Sequence, residues 1–254
     1  MASRRPGGHR RPIGEFQSAL LGPGTSLTFG IVSRLYLVPT PIGNLEDMTF
    51  RAVKVLQAVD LILAEDTRTS GRLLRHFDIN RPVRAYHMHN EHRIAEQLAQ
   101  EMARGAQMAL ITDAGTPGLS DPGFLLVRAC AAQGLEVQSL PGASALLPAL
   151  GNSALPAHRF AFEGFLPPKK GRQKRLMALA EEERTLVFYE SPHRLVRSLS
   201  DLMEHFGPER PASISREISK LYEETIRGSL SDLHHHFSQN PPKGEFVLCV
   251  GGKD

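Results

Sequence analysis

The sequence predicts an α/β protein in two parts, with a mainly parallel sheet in the N-terminal part and a mixed sheet in the C-terminal part. Three observations carry this. Short apolar runs alternate with amphipathic helical segments from Leu35 to Leu140. A group of chain breakers, Gly151, Asn152 and Pro156, interrupts the alternation. Beyond them the later strands follow one another through links too short for crossover helices, which parallel neighbours require.

The elements follow in order. Leu35–Val38 reads as a buried strand, followed by a Pro/Gly loop and a helix over Thr49–Ala58 with Val53 and Leu56 on one face. The alternation continues with strand Leu61–Ala64, helix Thr69–Phe77, strand Val83–Tyr86, helix Glu91–Ala103, strand Met108–Thr112, helix Phe124–Ala132 and strand Glu136–Leu140. A short helix over Ala143–Leu150 runs into the breakers. The second part offers helix Lys174–Glu182, strand Thr185–Tyr189, helix His193–His205, strands Ala212–Glu217 and Glu223–Arg227, helix Ser231–Phe237 and strand Phe246–Val250. The expected division is an arm over 1–33, one domain over 34–152 and a second over 153–254.

With 254 residues, 41% of them hydrophobic and 22% charged, the chain falls outside the disordered and fibrous classes. The net charge of +3 is unevenly placed. Residues 1–34 hold Arg4, Arg5, Arg10, Arg11 and Arg34 against Glu15, which leaves the remaining 220 residues at net −1. Residues 1–33 lack a sustained period and are rich in Gly, Pro, Ser and Arg, so they read as a disordered basic arm. Cys130 and Cys249 are too few for a disulfide scaffold or zinc cluster and sit in apolar runs, which reads as buried thiols in a reducing cytosol. No apolar run approaches the roughly 18 residues that span a bilayer.

In open α/β sheets ligands bind beyond the carboxyl ends of the strands. Four such loops stand out: Pro39–Asn44, Glu65–Arg68, Asp113–Gly123 and Pro141–Ala145. The third, with three glycines and two prolines, fixes an unusual backbone that lets main-chain amides approach a ligand. It matches neither G-x-G-x-x-G nor G-x-x-x-x-G-K-[ST] and contains no lysine, which argues against dinucleotides and ATP and for a zwitterionic or cationic ligand. In the second part, Lys169, Lys170, Arg172, Lys174 and Arg175 open a helix against its macrodipole, an arrangement suited to phosphate contact. A solvated charged face is the competing explanation. Arg, Glu and Lys cluster at two further strand ends, Phe188–Arg194 and Ser215–Lys220, where they could position a hydroxyl and take its proton. Consecutive His234, His235 and His236 point in different directions and lack metal-binding spacing, so no metal is expected. Ser191 beside His193 lacks a nucleophile elbow and is expected to cap a helix.

Taken together, Leu35-Tyr-Leu-Val-Pro-Thr-Pro-Ile-Gly-Asn-Leu45, Ala64-Glu-Asp-Thr-Arg68, His87-Met-His-Asn-Glu91, Asp113-Ala-Gly-Thr-Pro117, Ser120-Asp-Pro-Gly123, Pro141-Gly-Ala-Ser144, Phe188-Tyr-Glu-Ser-Pro-His-Arg194 and Ser215-Arg-Glu-Ile-Ser-Lys220 resemble the bacterial ribosomal RNA small subunit methyltransferase I family of the tetrapyrrole methylase superfamily. The resemblance runs in matching order from Leu35 to Gly252 and leaves out only the arm. It implies a two-domain tetrapyrrole methylase-like fold with S-adenosyl-L-methionine in the interdomain cleft, S-adenosyl-L-homocysteine as product, and a cytoplasmic homodimer. The implied reaction is 2′-O-methylation of a cytidine in 16S rRNA, free or in the 30S subunit, with no membrane and no metal involved.

By analogy with the superfamily, Pro39, Ile42, Asp113, Ala114, Gly115, Thr116, Ser144 and Ala145 line the cofactor pocket, joined by Gly244 and Phe246 from the second domain. Methyl transfer from a sulfonium needs alignment of oxygen, methyl and sulfur at about 3 Å, and a base or cation to favour the alkoxide. Glu217 and Lys220 are the candidates for that role, with Glu65, Asp66 and His89 as further candidates from the first domain. Asp66 and Arg68 are expected to hold the nucleotide; His89, Asn90, Lys169, Lys170, Arg172, Lys174, Arg175, Arg194 and Arg216 complete the expected RNA surface. Two other readings stay open: a superfamily relative acting on a tetrapyrrole or modified histidine, and an RNA-binding module without catalysis.

Overall fold

A computed structural model describes residues Arg34–Lys253; the expected arm lies outside the described residues. The first sheet is built from β1 (Arg34–Leu37), β2 (Leu61–Ala64), β3 (Val83–Ala85), β4 (Met108–Ile111) and β5 (Glu136–Ser139) in the order β3-β2-β4-β1-β5. Every pairing in it is parallel. Four helices connect these strands: α1 (Phe50–Ala58), α2 (Thr67–His76), α3 (Glu91–Ala103) and α4 (Phe124–Ala132).

Alternation along the strands decides which helices cover which face. Ile62, Ala64, Ala109 and Ile111 pack with Ala52 and Leu56 of α1 and Leu74 of α2. Their neighbours Leu63, Met108 and Leu110 face the other way, onto Leu98 and Met102 of α3 and Leu126 and Cys130 of α4. With both faces covered, the central strands read as continuous apolar runs, and β4 is buried along its whole length.

The second sheet contains β6 (Phe160–Phe165), β7 (Thr185–Glu190), β8 (Pro211–Arg216), β9 (Glu224–Ser229) and β10 (Phe246–Val250) in the order β6-β7-β10-β8-β9. It is mixed, as expected: β6 runs parallel to β7, and the other three pairings are antiparallel. Three helices, α6 (Arg172–Leu179), α7 (Leu195–Phe206) and α8 (Leu230–Gln239), cover one face through Leu176, Leu199, Leu233 and Phe237. The other face takes α5 (Leu146–Asn152), whose Leu146, Ala149 and Leu150 pack against Val187, Val247 and Cys249. Both cysteines are free and buried, and burial pushes their thiols up to about 11 for Cys130 and about 12 for Cys249. Among the described residues no helix is long and apolar enough to cross a membrane.

Three details depart from expectation. Strand β6 is absent from the expected elements, because a register shift between Phe162 and Gly164 breaks its alternation. Helix α5 begins at Leu146 and not at Ala143, since the Thr116 hydroxyl donates to the Ala143 carbonyl at 3.0 Å and holds that segment in the loop. A short 3₁₀ turn, Leu45–Asp47, with its first N–H groups capped by Asn44, precedes α1.

Candidate functional site

The order of the first sheet fixes where a ligand can sit. From β1 the chain crosses past β4 to β2, whereas from β4 it crosses past β1 to β5. The loops leaving these adjacent strands therefore diverge, and diverging loops open a crevice at the carboxyl edge. Thr40 and Gly115 bridge the base of that crevice, each donating its N–H to the other's carbonyl at 2.9 Å. Above them lies a cavity of about 490 Å³.

Ile42 from the first loop, Glu65 after β2, the segment from Asp113 to Asp121 after β4, and Ser144 with Ala145 form one side. The second sheet supplies the other: Phe165 from β6, Tyr189–Pro192 from the end of β7, Ile218 from the β8–β9 turn, and Glu245–Val247 entering β10. Of the residues expected to line the cofactor pocket, Ile42, Asp113, Ala114, Thr116, Ser144, Ala145 and Phe246 all border this cavity. Pro39, Gly115 and Gly244 lie behind it. Pro39 is buried against Gly142, Gly115 is held in the bridge to Thr40, and Gly244, at φ +93°, backs onto the Glu217 carboxylate.

Sequence reasoning misses Leu119, Ser120 and Asp121 as lining residues, although all three stand in a loop that its composition marks for binding. Ser120 adopts φ +65°, which turns the chain toward the second sheet; no composition signal carries that angle. Glu245 has no signal at all.

The electrostatics of the cavity are one-sided. Burial pushes the Glu65 carboxyl upward, and the Asp113 charge adds to the effect. Burial, with Glu65 and Asp113 as neighbours, raises Asp121 to about 7. Burial likewise raises the Tyr189 phenol, against a hydrogen bond with Ser144.

At the rim, Glu217 and Ser219 take left-handed backbone angles of φ +49° and +67° in the turn after β8. The turn delivers Lys220, whose Nζ donates to Glu217 Oε1 and Glu245 Oε2, each at 2.9 Å. The Lys220 stem runs so close to Gly43 that a Cβ there would overlap it, which explains a glycine at this point of the first loop. Burial opposes the charge on both partners, but the hydrogen bonds outweigh it: Lys220 is raised and Glu217 lowered from their ordinary values.

The other expected site residues are distributed as follows. Asp66 caps α2 by accepting the Arg68 N–H at 2.8 Å and grips the Arg68 guanidinium at 3.0 Å; that guanidinium holds its carboxyl down at about 2. The same residue's N–H donates to Asp113 at 3.2 Å, tying two of the loops together. Asn90 is a brace: it accepts the His87 N–H at 2.9 Å and donates to the Ala85 carbonyl at 3.0 Å, which fixes its amide against the turn before α3. His89 is exposed and meets His87 edge-on.

In the basic run, Lys169, Lys170, Lys174 and Arg175 are exposed, and Arg175 pairs with Glu163. Arg172 is a correction. It is 3% exposed, with its guanidinium donating to Asp201 at 2.6 Å, Ser198 at 2.9 Å and the Pro167 carbonyl at 3.2 Å, so it cannot reach a phosphate. Arg194 pairs with Glu190 at 2.8 Å and lies over the Phe165 ring, while Arg216 stands 3.7 Å from Glu224. Ser191 does not cap α7; its N–H donates to Glu190 and the residue borders the cavity.

A two-sheet α/β chain with a cavity at the carboxyl edge of its parallel sheet is the frame of one known class, and residues 34–234 match the family model described as Tetrapyrrole (Corrin/Porphyrin) Methylases. Solved structures share the fold, among them the following two. Diphthine synthase aligns at TM-score 0.65 and 13% identity over 87% of this chain and 90% of that one. Uroporphyrin-III-C-methyltransferase from Thermus thermophilus aligns at 0.60 and 22% over 86% and 94%. Sequence relatives are nearer. Ribosomal RNA small subunit methyltransferase I of Synechocystis sp. is 52% identical over 219 residues, covering 86% of this chain and 78% of that protein. Its namesake in Escherichia coli O157:H7 is 50% identical over 223 residues, with the same two coverages. The chain belongs to the ribosomal RNA small subunit methyltransferase I family, within the tetrapyrrole methylases.

Proposed function

We propose that the chain transfers the methyl group of S-adenosyl-L-methionine to the 2′-oxygen of a cytidine ribose in 16S rRNA of the small ribosomal subunit. It acts as a cytoplasmic homodimer, with domains over 34–152 and 153–254 that close on the cofactor. One observation carries the reading: a cavity at the divergence of the β1 and β4 loops whose wall holds Glu65, Asp113 and Asp121 with no basic residue among its lining. The name shared by relatives at about half identity supports RNA as the substrate class.

The donor set fits this cofactor. Ile42, Ala145, Ile218, Phe246 and Val247 offer apolar surface for an adenine ring, and the carboxylates suit an ammonium and a sulfonium. When bound, the cofactor supplies an electrophilic methyl on a good leaving group. The chain has to bind the ribose hydroxyl in line with it, keep water out and receive one proton.

We assign Lys220 to stabilising the developing alkoxide as an ammonium, since its two carboxylate partners keep it charged. Glu217 positions that ammonium and is itself a poor proton acceptor, because the hydrogen bonds from Lys220 and the Glu245 N–H lower its proton affinity. Glu65, raised by burial in the cavity wall, is the better acceptor. Arg68, His89, Lys169, Lys170 and Lys174 remain as exposed groups for RNA phosphates.

The test is incubation with radiolabelled donor and either free 16S rRNA or assembled 30S particles, followed by mapping of the label. Label on a ribose 2′-oxygen is expected. RNA binding without any transfer would overturn the assignment.

A further inference from the structure

Five residues lining the cavity are acidic and none is Lys, Arg or His. Two of the five are paired from outside, Glu190 with Arg194 at 2.8 Å and Glu245 with Lys220 at 2.9 Å. Glu65, Asp113 and Asp121 make no ion pair among the described residues; His87 offsets part of the Glu65 charge from beyond the wall. In a partly enclosed space such carboxylates act on a ligand more strongly than they would in bulk water. A neutral ligand leaves their field unpaired, and a cationic one pairs it.

Methyl transfer changes that balance. The S–C bond breaks with its electron pair returning to sulfur, a C–O bond forms, and the hydroxyl proton goes to a base. At the reacting centre, donor and product differ by one methyl group and one positive charge.

We propose that Glu65, Asp113 and Asp121 form an electrostatic filter that holds the sulfonium donor in preference to its thioether product, and so favours product release. The proposal rests on the donor reading of the cavity given above. Asp121 is its adjustable member. It faces Glu65 from the end of β2, Asp113 from the end of β4 and Tyr189 from β7, with the paired Glu190 and Glu245 further round the wall. Burial and the two carboxylate neighbours leave it near half-charged at neutral pH, so a cationic ligand drives it to its ionised form more than a neutral one does.

Isothermal titration of the full chain with S-adenosyl-L-methionine and with S-adenosyl-L-homocysteine, at about pH 5.5 and about pH 7, reads the ratio of the two dissociation constants. The preference for the donor is expected to rise about fivefold between the two pH values. In Asp121→Asn most of that rise should disappear, and in Glu65→Gln a smaller part of it. A preference that is the same at both pH values in the unmodified chain overturns the filter while leaving the donor site in place. Failure of either molecule to bind the unmodified chain overturns the donor reading and the filter with it. The pH comparison needs no substitution, so a poorly folding variant does not shield the proposal.

Discussion

Glu217 and Glu65 show how two carboxylates of one site acquire opposite character. Glu217 accepts from Lys220 and from the Glu245 N–H, each at 2.9 Å, and both bonds favour its charged form. Glu65 is half-buried beside Asp113, which favours its neutral form. If proton transfer goes to Glu65, Glu65→Gln should lower single-turnover methylation by about 10²- to 10⁴-fold, while Glu217→Gln should cost less than about tenfold. Equal losses would mean that the two act as one unit. Asp121 allows a separate check, on stability. Its pKa is raised on folding from 3.8 to about 7, so the folded state holds that proton more tightly than the unfolded chain does. The associated stability is complete below about pH 4 and is lost as pH rises through about 7. Asp121→Asn should therefore match the unmodified chain in melting temperature at low pH and exceed it by a growing margin up to neutral pH. A constant difference across that range would contradict the raised pKa.

At the scale of elements, the basic run that opens α6 divides into two kinds of residue. Arg172 joins α6 to α7 through Asp201 and Ser198, and Ser198 in turn donates to Glu190, which also accepts from the Ser191 N–H and pairs with Arg194. The series of hydrogen bonds ends at the cavity wall, because Glu190 borders the cavity. Removing one partner of a buried pair leaves the other charge unpaired, so Arg172→Ala should destabilise the protein by about 3–5 kcal/mol in denaturant unfolding. Lys174→Ala, on the exposed side of the same helix, should stay within about 0.5 kcal/mol. In sequence the two look alike, since both are positive charges in one run; only the packing of α6 on α7 separates them. Strand β6 is illegible for a related reason. Gly164, at φ +60°, sits at the register shift, and a Cβ there would come within 2.7 Å of the Ser120 hydroxyl. Gly164→Ala should therefore cost about 1–3 kcal/mol and weaken donor binding, because it presses on the loop that carries Asp121. Donor affinity equal to that of the unmodified chain would show that loop and strand move independently.

For the whole molecule, the alternation of strands and helices is readable because both faces of the first sheet are covered, which makes its central strands uninterrupted apolar runs. The edge of the sheet that binds is readable as well, because Pro and Gly concentrate in the loops leaving β1, β4 and β5. Which side chains reach the cavity is not, since Ser120 in the loop after β4 and Glu217 and Ser219 in the turn after β8 set it through left-handed backbone angles. Charge is a property of the same scale. The excess of +3 resides in residues 1–34, so the body has no general positive field with which to attract RNA. Its exposed bases at Arg68, Lys169, Lys170 and Lys174 act locally, and the cavity itself is acidic. RNA affinity should then draw part of its salt dependence from Arg4, Arg5, Arg10 and Arg11. Deleting residues 1–33 should leave the dissociation constant of the donor unchanged and flatten the log–log plot of RNA affinity against salt, by roughly 0.7–0.9 for each phosphate that the shortened chain no longer neutralises. An unchanged slope would mean that these arginines touch no RNA, and that exposed bases of the body carry the electrostatic part of binding unaided.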